Sequence, residues 1–163
     1  MFKKITILAV LLLFVSCNLE KPTEFTEKAL NEKVYNLNGV SSSFKDVLKE
    51  HKGKKILIDI WAGWCRDCLK GMPRIKDLQR TYPDVVFLFL SVDERKSYWK
   101  KAIEHYNIKG VHYNLPKGMK EGDLVDFLDV SWIPRYLVVD ENGKIILFNV
   151  TKAYDKRIKD ALD

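Results

Sequence analysis

Cysteine and histidine are scarce in this chain, three of each among 163 residues, and that scarcity excludes one class of protein at once. A structural zinc site takes four Cys or His ligands, and beside the pair Cys65 and Cys68 there is no second Cys-x-x-Cys or Cys/His cluster. Glycine and proline number only eight and five, and the chain has no low-complexity block and no internal repeat, so it is no disordered tail or repeat array. Long hydrophobic runs are missing as well: the run from Ile5 to Val15 is too short to cross a bilayer core of about 30 Å as a helix. Lysine and arginine outnumber aspartate and glutamate by 28 to 22, but they are scattered among the acids. No basic run studded with aromatics offers a nucleic-acid surface.

What is there amounts to 47% hydrophobic and 31% charged residues, the balance of one soluble globular domain. The first residues differ in kind. Lys3 and Lys4 precede the apolar run as the charged region of a signal peptide, and "FVSC" closes it with a small residue and Cys17, which resembles the lipobox of bacterial lipoproteins. On this reading residues 1–16 are a lipoprotein-type signal peptide, Cys17 becomes the lipidated N-terminus, residues 17–33 form a polar tether with room for a helical stretch, and residues 34–163 are the folded domain. A plain secreted protein or an uncleaved anchor is the simpler alternative. Losing residues 1–16 removes two lysines and no acid, which lowers the formal charge from +6 to +4, a mild basic bias. Lipidation of Cys17 also leaves Cys65 and Cys68 as a closed pair in a compartment where disulfides persist.

Within the domain, "VYNLNG" predicts a short strand and a turn at Asn38-Gly39. "SSSFKDVLKEHKG" predicts a serine-capped helix with Phe44, Val47 and Leu48 on one face and Gly53 as its stop. The nearly continuous apolar run "KKILIDIWA" reads as a central strand covered on both faces, interrupted only by Asp59. Leu69, Met72, Ile75, Leu78 and Tyr82 recur at helical spacing after Cys65, with a kink expected at Pro73. "DVVFLFLSVD" is a second buried strand and "SYWKKAIEHYNI" a further helix. "VHYNLP" is a strand or loop, and a helix is expected over "EGDLVDFLDV". "RYLVVDENGKIILFNV" is a hairpin turning at Asn142-Gly143, and "AYDKRIKDAL" a closing amphipathic helix. Parallel strands joined by helical crossovers, then an antiparallel pair, make an α/β fold: a mixed sheet with helices on both faces.

A cysteine where a buried strand passes into a helix has a physical logic of its own. Unpaired N–H groups and the helix dipole favour a thiolate there, and a second thiol one turn on closes the disulfide. A permanent structural disulfide is the competing reading, though a bridge over so small a loop restricts the unfolded chain little.

The segment "ILIDIWAGWCRDCLKGMPRI" resembles the active-site segment of thioredoxins, beyond the cysteines themselves. Asp59 stands six residues before Cys65, where thioredoxins keep a buried acid; Trp61 and Trp64 match the two tryptophans, and Pro73 the helix-kinking proline. "SWIPRYLVVDENGKII" looks like the segment with the cis-proline opposite the disulfide, Ile133-Pro134 in the matching places. Export signal, tether and such a domain together resemble the membrane-tethered thiol-disulfide oxidoreductases of bacteria, the TlpA/ResA-like group. The resemblance implies a thioredoxin fold over residues 33 to 162 and a dithiol/disulfide exchange that needs no cofactor and no metal.

It further implies a nucleophile at Cys65, exposed at the helix start; a resolver at Cys68; and a proton acceptor at Asp59, whose bland alternative is an acid at the exposed end of its strand. Pro134 would be cis and leave the Ile133 backbone free to pair with a partner segment, while Trp64 shapes the contact surface. The implied partners are cysteine-containing exported proteins and a membrane or periplasmic thiol donor. The implied place is the bacterial cell envelope, lipid-anchored and facing the periplasm or exterior, and the implied direction is reduction of the partner. Arg66-Asp67 between the cysteines departs from the Gly-Pro of thioredoxin and sets opposite charges beside the sulfurs. A copper-binding module of the same fold is the alternative and would need a histidine near the thiols, for which His112 is the candidate. A peroxidase of the fold would need a lone cysteine in a threonine-containing loop, a feature absent here.

Overall fold

The central strand β3 (Ile56–Trp61) is buried at every position, as a run of isoleucine and leucine covered on both faces must be. The computed structural model describes residues 21–163 and arranges seven strands around it. Their chain order is β1 (Lys33–Asn36), β2 (Ser41–Ser43), β3, β4 (Val86–Ser91), β5 (Val111–Asn114), β6 (Arg135–Val139) and β7 (Ile145–Val150). The sheet order is β2-β1-β5-β4-β3-β6-β7. β3, β4 and β5 are parallel, while β6 runs antiparallel to β3, and β7 to β6. The helices are α1 (Glu27–Asn31), α2 (Phe44–Glu50), α3 (Arg66–Thr81), α4 (Lys96–His105), α5 (Asp123–Phe127) and α6 (Lys156–Leu162).

They form two layers. α3 lies between α4 and α6: Lys76 Nζ and Gln79 Nε2 donate to the Tyr106 and Lys109 carbonyls, both 2.7 Å away, and the Tyr82 hydroxyl bonds Asp163 at 2.5 Å. α1, α2 and α5 gather on the other face, where Phe25 packs on Phe44 and Phe127 at ring separations of 5.1 and 5.3 Å. Alternation along β3 therefore sends Leu57, Asp59 and Trp61 towards α3 and Ile56, Ile58 and Ile60 towards α1 and α2. The mixed sheet with helices on both faces is the architecture expected.

Several elements differ from the expectation. The tether expected over residues 17–33 is in its later part a piece of the domain. Thr26 caps α1 by accepting from the Ala29 N–H at 3.2 Å, Ala29 is fully buried, and the Thr23 carbonyl accepts from Ile145 at 2.8 Å. Phe25, Ala29 and Leu30 supply enough apolar surface to dock, but a helix of five residues carries no readable period. The serines at 41–43 form edge strand β2 before Ser43 caps α2 through the Asp46 N–H at 3.1 Å. β1 pairs antiparallel with β5, a long-range contact that no local pattern encodes. The signal peptide and Cys17 lie outside the described residues.

Candidate active site

Two turns bring the site together at the C-terminal end of β3. After Trp61 the chain bends through Ala62 and Gly63, where Cys65 N donates to the Ala62 carbonyl at 3.0 Å. Gly63 fits because a Cβ there would lie 2.9 Å from the Ala102 Cβ on α4. Its N–H donates to Asp93 Oδ2 at 2.8 Å. Asp93 is buried and its pKa is raised by desolvation, offset by the bonds from Gly63 and from the Ser91 hydroxyl at 2.9 Å. This carboxyl, which sequence inspection missed, anchors the approach to the cysteines.

Cys65 is the N-cap of α3, in extended conformation, and is bonded to Cys68 as a disulfide. Its Sγ accepts from the Cys68 N–H at 3.1 Å. Upon reduction that N–H and the start of a sixteen-residue helix stabilise a thiolate at Cys65, the hydrogen bond to charge alone being worth roughly 1.5–3 kcal/mol. The expected exposure of Cys65 needs correction: it is 6% exposed, against 0% for Cys68. The loop before β6 covers it, with the Ile133 carbonyl 3.9 Å from Sγ and the Ile133–Pro134 peptide cis. Of the two cysteines, Cys65 alone keeps any exposure.

The covering loop is tied down. Arg135 Nη2 donates to the Asp129 carbonyl at 3.1 Å, and Asn149 Nδ2 to the Leu128 carbonyl at 2.8 Å. It nevertheless presents Trp132 to solvent, 59% exposed, as is Trp64 next to Cys65. A cleft of about 590 Å³ opens beside Trp64, lined also by Tyr98, Met119, Val130 and Ser131. Trp132 has no helical or strand period to mark it and was missed by sequence inspection. Trp61, by contrast, is core, fully buried and edge-on to Phe89 at 6.4 Å.

Asp59 is 2% exposed, which disposes of the bland alternative of an exposed strand end. Neither carboxylate oxygen has a hydrogen-bond partner, and burial pushes its pKa well above the usual carboxylate range. It points to the face that α3 covers, where Cys68 is buried one helical turn before Gly71. His112 joins none of this. Its ring stacks on Phe89 at 5.1 Å, Nε2 is 2.9 Å from the Ile108 carbonyl, and burial lowers its pKa. It sits on β5, two strands from β3, so the histidine the copper-binding alternative would use is held in the sheet away from the α3 start. Among the described residues, no three His, Cys, Asp or Glu side chains are grouped to hold a metal ion. Arg66 and Asp67 are exposed, with Asp67 3.4 Å from Lys70 Nζ.

Comparison with known proteins agrees with this geometry. A family model described as thioredoxin-like matches residues 53–145. A protein of Bacillus thuringiensis named thiol-disulfide oxidoreductase ResA is 29% identical over 130 residues, covering 78% of this chain and 70% of its own. The thioredoxin-like protein YneN of Bacillus subtilis is 29% identical over 131 residues, with 78% and 72% covered. Among solved structures, the thioredoxin domain of a thiol-disulfide oxidoreductase from Bacteroides vulgatus superposes with a TM-score of 0.65 at 26% identity, covering 79% of this chain and 91% of that one.

Proposed function

The chain belongs to the thioredoxin-like family, and from that premise we propose that it is an extracytoplasmic thiol-disulfide oxidoreductase that reduces disulfides of exported proteins. The observation that carries the reading is the Cys65 sulfur, seated on the first N–H groups of α3 beside the Ile133 carbonyl. In the reducing direction the Cys65 thiolate displaces one sulfur of a client disulfide and forms a mixed disulfide. Cys68 gives its proton to Asp59 and attacks Cys65 Sγ, which expels the client's other thiolate. Two electrons pass to the client and the Cys65–Cys68 bond remains. A thiol donor at the membrane then restores the dithiol.

Asp59 supports the assignment, because a buried acid without partners is costly to keep, and its strand position faces the helix that carries Cys68. The Ile133 carbonyl offers a main-chain acceptor to an extended client segment, and Trp64 its apolar rim. Location rests on the signal-peptide pattern of residues 1–16 and the lipobox-like Cys17. The deciding experiment offers an oxidised dithiol protein to reduced Cys68→Ser. We expect a stable adduct through Cys65, seen as a mass increase removed by reductant and absent from Cys65→Ser; failure to trap it would overturn the mechanism.

A further inference from the structure

Two buried polar side chains stand next to each other in the sheet without a partner. Tyr136 is 0% exposed and its hydroxyl makes no hydrogen bond; Asp59 is 2% exposed and neither of its oxygens does. They are register partners on β6 and β3, so both leave the sheet towards α3. Burial and the Asp59 charge together push the Tyr136 phenol pKa up, which marks the two groups as electrostatic neighbours.

A phenylalanine would give the same ring without the cost of an unpaired buried hydroxyl, about 1–3 kcal/mol. Yet the chain makes room for the oxygen. Gly71 lies inside α3, where alanine is better by about 1 kcal/mol, but a Cβ there would come 3.0 Å from the Tyr136 hydroxyl and 3.1 Å from the Ala153 Cβ. A helical glycine and a small residue after β7 thus enclose one hydroxyl, a helical turn from Cys68. We propose that Tyr136 is a positioning residue for the exchange: its hydroxyl donates to the Asp59 carboxylate when that group ionises, and holds it as the base that takes the Cys68 proton. Without this donor an apolar niche would keep Asp59 protonated and unable to act as base. The other groups on this face are few: Trp61 follows two residues along β3 with its indole Nε1 also unpartnered, Phe89 flanks Asp59 on β4, Cys68 is buried on α3, and His112 lies beyond Phe89 on β5.

The base role rests on the exchange reading, whereas the hydrogen bond can be tested without it. Carboxyl ¹³C titration of the oxidised protein, with the Asp59 signal assigned by its loss in Asp59→Asn, gives the acid's pKa directly. Tyr136→Phe is expected to raise it by about one to two pH units, the effect of one hydrogen bond to a charged group. Gly71→Ala, which crowds the hydroxyl, is expected to shift it the same way. In turnover, the acid limb of mixed-disulfide resolution moves up in pH by the same amount in Tyr136→Phe, with the high-pH plateau kept. An unchanged Asp59 titration in Tyr136→Phe, accompanied only by a higher melting temperature, would overturn the proposal. Absence of any thiol exchange by the wild-type protein would instead remove the exchange reading and leave the titration to stand.

Discussion

Replacing Asp59 with asparagine removes a charge the fold does not want, and the gain has a predictable dependence on pH. In the unfolded chain the carboxyl releases its proton near pH 3.9; in the folded protein burial raises that point well above it. Between the two values the unfolded state has lost the proton while the folded state retains it, so wild-type stability falls as pH rises, by about 1.4 kcal/mol per pH unit. Above the folded pKa the loss is complete and constant. Asparagine does not titrate, and its amide is as poorly partnered as the neutral acid, so the two proteins should be nearly equally stable below about pH 4. The advantage of Asp59→Asn should then climb at that slope and level off at the folded pKa. Urea unfolding of the oxidised proteins at successive pH values, followed by the fluorescence of fully buried Trp61 and Trp99, measures it. His112 titrates in both proteins and cancels. A stability difference independent of pH would refute the assignment of Asp59 as a desolvated acid.

Two further outcomes are expected. Trp132→Ala should lower kcat/KM about thirtyfold towards a protein disulfide, the effect of truncating one interface tryptophan worth about 2 kcal/mol, and leave a small-molecule disulfide unaffected; equal losses on both would remove Trp132 from client recognition. Gly110→Ala should destabilise the domain by roughly 2 kcal/mol or more in urea unfolding, because Gly110 has φ +140° and a Cβ there would sit 2.7 Å from the Phe87 carbonyl oxygen and the Phe89 ring.

Much of the fold is legible in local sequence because its central elements are strongly patterned. The run around Asp59 is apolar at nearly every position, the helix carrying Met72, Ile75 and Leu78 keeps its spacing, and Asn142-Gly143 marks the hairpin even though the register of β6 on β7 shifts. Burial of Asp59 follows from the same pattern, since an acid in the middle of a strand covered on both faces cannot reach water. What was illegible depends on contacts between distant segments. Cys65 is covered by a loop some seventy residues on, which helix-start geometry alone could not convey. Tyr136 reads as an ordinary strand aromatic until β6 is set beside β3. His112 looks available for chemistry until Phe89 and the Ile108 carbonyl occupy it.

The bond from Ile145 to the Thr23 carbonyl has a consequence for how the molecule would stand on a membrane. Ile145 is beside Val139, which is beside Ile56 at the beginning of β3, whereas Cys65 follows that strand's far end. The N-terminal segment therefore joins the body at the pole opposite the disulfide, about 20 Å away along β3. An acyl chain on Cys17 would hang from Thr23 by a leash of at most about 20 Å, too short to fold back around the domain. With Cys17 lipidated as proposed, the bilayer would lie beneath the sheet's base, and the exposed indoles of Trp64 and Trp132, at the end of the sheet where β3 stops and β6 starts, would look outward to the aqueous side.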